Sequence, residues 1–199
     1  MSVMYPFCKR IFDLALSLAL LLLFSAPLLA LALAIKMDSP GPVLFRQRRI
    51  GKAKREFLIL KFRTMRTDAP KDTPTHLLAD PSAFITPLGA FLRRTSLDEL
   101  PQFLNILKGE MSFVGPRPAL WNQYDLIAER DRRGANDVPP GLTGLAQISG
   151  RDELPVERKA ELDGEYVQKA SMAFDLRILF RTFRTVVCKE GFKEGGGRR

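Results

Sequence analysis

Leu14 to Ile35 reads LALSLALLLLFSAPLLALALAI, with no charged side chain between Asp13 and Lys36. That length meets the requirement of about 20 apolar residues for a helix crossing a bilayer. A helix apolar on every side belongs in a membrane or wholly inside a large core, and leucine at this density argues against a soluble core helix. A cleaved signal peptide would fit Lys9 and Arg10 ahead of the run, with Ala30-Leu31-Ala32 as cleavage site. The apolar run continues past that point, however, and then turns basic at once. A straight spanning helix meets two objections. Pro27 removes one backbone hydrogen bond, and both flanks are basic: Lys9 and Arg10 before, Lys36, Arg46, Arg48 and Arg49 after. The charge bias that keeps one flank in the cytoplasm would hold both there. A re-entrant helix satisfies all of this. It enters one leaflet, turns near Ser25-Ala26-Pro27 and leaves on the same side, with the Ser25 hydroxyl available to a carbonyl that Pro27 frees. We favour that reading for residues 1–40, followed by a folded domain over 41–199.

Beyond the turn-rich Asp38-Ser39-Pro40-Gly41-Pro42, Val43 to Arg49 and Glu56 to Phe62 predict two strands joined around Gly51-Lys52. Arg46, Arg48, Arg49, Lys52, Lys54, Arg55, Lys61, Arg63 and Arg66 load this hairpin. The plain reading is a solvated cationic surface, with a few of these residues turned to a phosphorylated ligand or anionic lipid. Residues 68–82 read as a loop. Phe84, Leu88, Phe91 and Leu92 recur at helical spacing, and a second helix is expected from near Ser96 to a stop at Gly109. Phe174 to Val187 sets Arg177, Arg181 and Arg184 among Leu176, Leu179, Phe180 and Phe183. It predicts a basic amphipathic helix, packed on the core or lying in a membrane interface. The glycine-rich tail at 195–197 reads as disordered.

A formal charge of +9 suits nucleic acid, anionic lipid or phosphorylated substrates. A membrane-anchored cationic module for nucleic acid or anionic lipid needs no adjacent carboxylates beside an arginine cluster, and a nucleic-acid platform wants aromatics interleaved with its cations. Nucleic acid is therefore not an expected partner. With one histidine and two distant cysteines, Cys8 and Cys188, a His-rich or thiolate metal site is excluded. Carboxylates remain as the ligand set, which favours a hard cation such as magnesium.

The most informative run is Thr95-Ser96-Leu97-Asp98-Glu99-Leu100-Pro101-Gln102, two adjacent carboxylates just after Arg93 and Arg94. Two readings stand level. Ser96 and Glu99 match a capping box, with acidic residues favouring the helix dipole. Alternatively, a carboxylate among arginines and a hard cation can attack a phosphoryl group and carry it as an acyl phosphate. Gly115-Pro116-Arg117-Pro118 adds a stiff turn presenting Arg117, the side-chain type that grips phosphate oxygens in a fixed orientation. Pro140-Gly141-Leu142-Thr143-Gly144, with Gly150-Arg151 beyond it, is a second glycine-rich candidate for phosphate or nucleotide.

These stretches together resemble the bacterial sugar transferases, the monotopic phosphoglycosyl transferases. The resemblance rests on Lys9 to Asp13, Lys61 to Met65, Ser96 to Gln102, Asn105 to Gly109, Met111 to Pro118 and Pro140 to Gly144, in the expected order over nearly the whole chain. It implies an α/β, mostly helical monotopic membrane protein with a re-entrant helix, a small β-hairpin and interfacial helices. The site would face the cytoplasm at a bacterial inner membrane. It implies that Asp98 attacks the β-phosphate of a UDP-sugar, releases UMP and passes the phosphosugar to undecaprenyl phosphate. Glu99 would complete the dyad and help hold magnesium with Asp98, while Arg117 and Arg93 steady phosphate oxygens. The chain resembles the small members, including one that transfers diacetylbacillosamine-1-phosphate in protein N-glycosylation. Galactose- or glucose-1-phosphate transfer for exopolysaccharide or O-antigen is the second reading. Two departures stand out. The helix break is Ser25-Ala26-Pro27 where the family has Ser-Pro together. Val138-Pro139-Pro140-Gly141 lacks the arginine usual before Pro-Gly, which leaves Arg151 as candidate for that contact.

Overall fold

The apolar run and its basic flank form two helices, α1 (Met4–Leu23) and α2 (Ser25–Asp38), bent by 64° at Phe24. This computed structural model describes residues 4–70, 80–150 and 154–187. Most of the expected loop at 68–82, Arg151 and the glycine-rich tail lie outside them. Pro27 causes the bend: it has no N–H for the carbonyl of Leu23. The Ser25 hydroxyl donates to the carbonyl of Leu22 at 2.8 Å, one residue earlier than the carbonyl the proline frees. Among the described residues no single helix is long and apolar enough to cross a membrane, and only the bent pair together meets that test.

Both ends of the pair are fastened to the same folded body. Lys9 pairs with Asp175 at 2.6 Å. Arg10 donates to the carbonyls of Ile106 and Leu107 at 2.7 and 2.8 Å, and buried Asp13 accepts from the Phe113 amide at 3.1 Å. Lys9 and Arg10, read from sequence as a basic flank, are bound within the protein. At the far end Arg63 donates to the carbonyls of Ile35, Ser39 and Pro40. A cation there satisfies carbonyls that a helix end leaves unpaired. Ile35 is buried against Phe62 and Leu92.

The expected hairpin forms almost residue for residue. β1 (Leu44–Ile50) runs antiparallel to β2 (Glu56–Phe62), with Leu44 opposite Phe62 and Ile50 opposite Glu56, around a 3₁₀ turn at Lys52–Lys54. Arg46, Lys52, Lys54, Arg55 and Arg66 are exposed, as a solvated surface requires. Arg48 instead lies over the Trp121 ring at 4.2 Å, and Lys61 and Arg63 turn inward. The far edge of β2 is covered by a side chain. Fully buried Asn105 accepts from the Leu60 amide at 3.0 Å and donates to the Leu58 carbonyl at 2.8 Å. It sits in α4 (Gln102–Lys108), which ends at Gly109 with φ of 84°, the stop its sequence predicts.

α3 (Pro87–Thr95) begins later than its periodicity suggests, because Thr86 caps it by accepting from the Gly89 amide at 3.0 Å. Phe84 therefore falls outside the helix. β3 (Ser112–Val114) pairs in parallel with β4 (Gly141–Thr143). α5 (Tyr124–Asp131), α6 (Leu145–Ile148), α7 (Val156–Lys169) and α8 (Met172–Val187) complete a mostly helical α/β unit. The main core joins Ile59, Phe103, Ile106, Phe113, Tyr166 and Ile178, with Phe12 and Leu16 of α1 packed against it. α8 buries Ile178 on this core yet leaves Leu176, Phe180 and Phe183 exposed beside Arg177, Arg181 and Arg184.

Candidate active site

Ser96 ends α3 in the left-handed conformation, φ 57°, and a single 3₁₀ turn, Leu97–Glu99, leads on toward α4. Ser96 makes no side-chain capping bond. The capping-box reading fails here: with its backbone left-handed, Ser96 serves as the C-cap of α3. Pro101 stands immediately before α4, where its missing N–H leaves no helical bond unmade. The two carboxylates are thus free of a capping duty, and Asp98 is 9 % exposed.

Three chain segments meet around them. β2 brings Lys61, whose Nζ lies 2.6 Å from Glu99 Oε1. The turn after β3 brings Arg117, with a guanidinium nitrogen 3.7 Å from the same oxygen. α3 brings Arg93, aimed by bonds from its Nε to Thr64 Oγ1 at 2.9 Å and from a guanidinium nitrogen to Met65 Sδ at 3.4 Å. Burial is the main influence on Asp98 and raises its pKa from 3.8 to about 6; Lys61 opposes that rise, Glu99 adds to it and Arg93 opposes it. The structure thus brings Asp98, Glu99, Arg93 and Arg117 together.

Lys61 belongs to the site as well. Sequence reading left it among the solvated hairpin cations, although it stands in the Lys61 to Met65 stretch that carried the resemblance. Within that stretch Lys61 reaches the dyad, Arg63 the end of α2, and Thr64 and Met65 hold Arg93.

Arg117 is held through its backbone. Its carbonyl accepts from Arg130 at 2.9 Å, and Arg130 is paired at 2.6 Å with Asp163, both nearly fully buried. Arg49 donates to the carbonyl of Pro118, and the Gly141 amide to that of Pro116. The second glycine-rich loop therefore buttresses the first. A Cβ on Gly141 would stand 2.1 Å from the Gly115 nitrogen, one on Gly144 2.1 Å from the Gly115 oxygen, and one on Gly115 2.5 Å from the Pro139 oxygen. These glycines serve close backbone approach.

The raised Asp98 pKa has a testable sign. Between the unfolded value of about 4 and the folded value near 6 the folded protein binds more protons, so this group's contribution to stability is lost as pH rises through that window. The total is roughly 3 kcal/mol. In metal-free buffer, Asp98→Asn should melt no lower than the parent at pH 7.5, and the gap between them should shift in the parent's favour at pH 4.5. Equal pH slopes for the two proteins would contradict the shift.

Comparison with known proteins identifies the family. The family described as bacterial sugar transferase matches residues 4–189. The uncharacterized sugar transferase EpsL of Bacillus subtilis is 42 % identical over 94 % of this chain and 90 % of its own length. The UDP-glucose:undecaprenyl-phosphate glucose-1-phosphate transferase of Escherichia coli is 43 % identical over 92 % of this chain, which spans 41 % of that larger protein. The UDP-N-acetylgalactosamine-undecaprenyl-phosphate N-acetylgalactosaminephosphotransferase of Aeromonas hydrophila is 37 % identical over 94 % of this chain and 45 % of its own length. The chain belongs to the bacterial sugar transferase family.

Proposed function

We propose that this enzyme transfers a sugar-1-phosphate from a UDP-sugar to undecaprenyl phosphate, through a phosphosugar carried covalently on Asp98. The observation that carries the reading is Asp98 itself: a buried carboxylate with a raised pKa, one residue from a carboxylate engaged by Lys61 and Arg117. A desolvated carboxylate is a stronger nucleophile than a hydrated one, and the surrounding cations offset charge on the incoming phosphates. An Asp98 oxygen attacks the β-phosphorus, the bond from that phosphorus to the bridging oxygen breaks, and UMP leaves with the bridging oxygen. An oxygen of undecaprenyl phosphate then attacks the same phosphorus, and the Asp98 carboxylate is regenerated. Arg117 and Arg93 steady the phosphoryl oxygens, while Lys61 holds Glu99 in place.

Magnesium fits the donor set. Among the described residues no cluster of three metal-binding side chains occurs. A pair of carboxylates suits a cation that completes its shell with substrate phosphates and water. Asp98 and Glu99 would hold it, and it would supply charge neutralisation at the diphosphate.

The relatives named above support a hexose or N-acetylhexosamine donor, of which only the hexose was the second reading from sequence; neither activity printed in those names is protein glycosylation. Purified protein given undecaprenyl phosphate and a panel of UDP-sugars should release UMP with at least one of them. No release with any donor would remove the proposal.

The membrane reading rests on two features. The exposed apolar residues of the helix pair, among them Leu18, Leu22, Leu23, Leu29 and Leu33, lie between two ends anchored to one body. α8 adds Phe180 and Phe183 beside its arginines. A re-entrant pair with its site on the cytoplasmic side of the inner membrane accommodates both. Single cysteines at positions 2 and 40 should then be labelled only from the cytoplasm, whereas periplasmic labelling of position 2 would establish a span.

A further inference from the structure

Gln102 opens α4 four residues after Asp98. Leu100 and Pro101 both keep right-handed helical backbone, with φ of −55° and −60°, so the turn at Leu97 runs on into α4. The bonds on this path run from each amide to the carbonyl three residues back, so Gln102 stands little more than one turn along from Asp98. Gln102 is 2 % exposed, yet its Nε2 is buried with no acceptor among the described residues. Asn105, one turn further on, has both polar atoms of its carboxamide engaged. A buried donor left unpaired is unfavourable and uncommon in folded proteins, and an apolar side chain of the same length would fill that space without the penalty. A cost of this kind beside a nucleophile is reasonable where the partner arrives with the substrate.

We propose that Gln102 is a further catalytic residue, its Nε2 donating to a non-bridging oxygen of the phosphoryl group transferred to Asp98. This rests on the transfer reading above. The donor complements Arg93 and Arg117 without adding charge, and it stands on the helix that continues from the turn carrying the nucleophile. Its aim therefore moves with Asp98. Loss of one such preorganised donor lowers turnover by about 10²–10³-fold.

The test is Gln102→Met, which keeps length and removes the donor, with Gln102→Glu as the second variant. For each, UMP release from the best UDP-sugar is measured in the presence of undecaprenyl phosphate, alongside a thermal melt. The Met variant should melt at or above the parent temperature, lose about 10²-fold or more in kcat, and keep KM within a few-fold. The Glu variant, which trades a donor for an acceptor, should be at least as impaired. A Met variant with kcat within threefold of the parent overturns the proposal. So does a lower melting temperature with kcat restored at a temperature where the variant is folded, because that assigns the amide to a structural partner. If the parent itself releases no UMP from any donor, the failure lies with the transfer reading.

Discussion

Asp98→Asn protein is expected to fold, to release no measurable UMP, and to form no phosphosugar adduct. Removing a nucleophile from a mechanism that depends on it costs at least about 10³-fold in turnover. The structural alternative predicts something else. A lost capping carboxylate would cost about 0.5–2 kcal/mol of stability and leave a folded, active enzyme, and Ser96 has neither the extended backbone nor the side-chain bond of an N-cap. Glu99→Gln should also be severely impaired, but by a different route. It removes the carboxylate that Lys61 and Arg117 engage, while Asp98 survives. With UDP-sugar and no lipid acceptor, mass spectrometry should find the phosphosugar on the peptide containing Asp98 in the parent and not in Asp98→Asn. A folded Asp98→Asn enzyme that turns over would make the carboxylate structural.

Removal of divalent cations should be nearly as severe. The donor brings two phosphate groups to a place that already holds two carboxylates, and Lys61, Arg93 and Arg117 supply only part of the compensation. UMP release is expected to vanish with a chelator and to return when magnesium is added in excess. Undiminished turnover after rigorous metal removal would refute a cation requirement and leave charge compensation to the three basic side chains.

What could be read from the sequence was local. The strands at 44–50 and 56–62, the stop at Gly109 and the C-terminal helix each follow from a pattern of neighbours along the chain. The dyad was visible because two carboxylates stand side by side. What stayed hidden depended on partners far apart in sequence. Lys61 meets Glu99 across 38 positions, and apart from its place in the Lys61 to Met65 stretch nothing around it separates it from the solvated cations of its own hairpin. The Arg130–Asp163 pair that supports Arg117 joins two helices whose charges look ordinary one at a time. β3 and β4, three residues each, are too short for an alternating pattern to declare them. Ser96 misled for the opposite reason: its local motif was complete, but the preceding helix had already claimed it as a C-cap.

The clasp between Gly115, Gly141 and Gly144 bears on how such an enzyme changes over evolutionary time. Two loops pressed backbone to backbone leave no room for even a methyl group, so drift at any one of the three positions is blocked whatever the others do. Divergence among such chains must then be written into side chains at other positions. A library built to alter donor choice would do best to keep these three positions fixed and to spend its diversity around them.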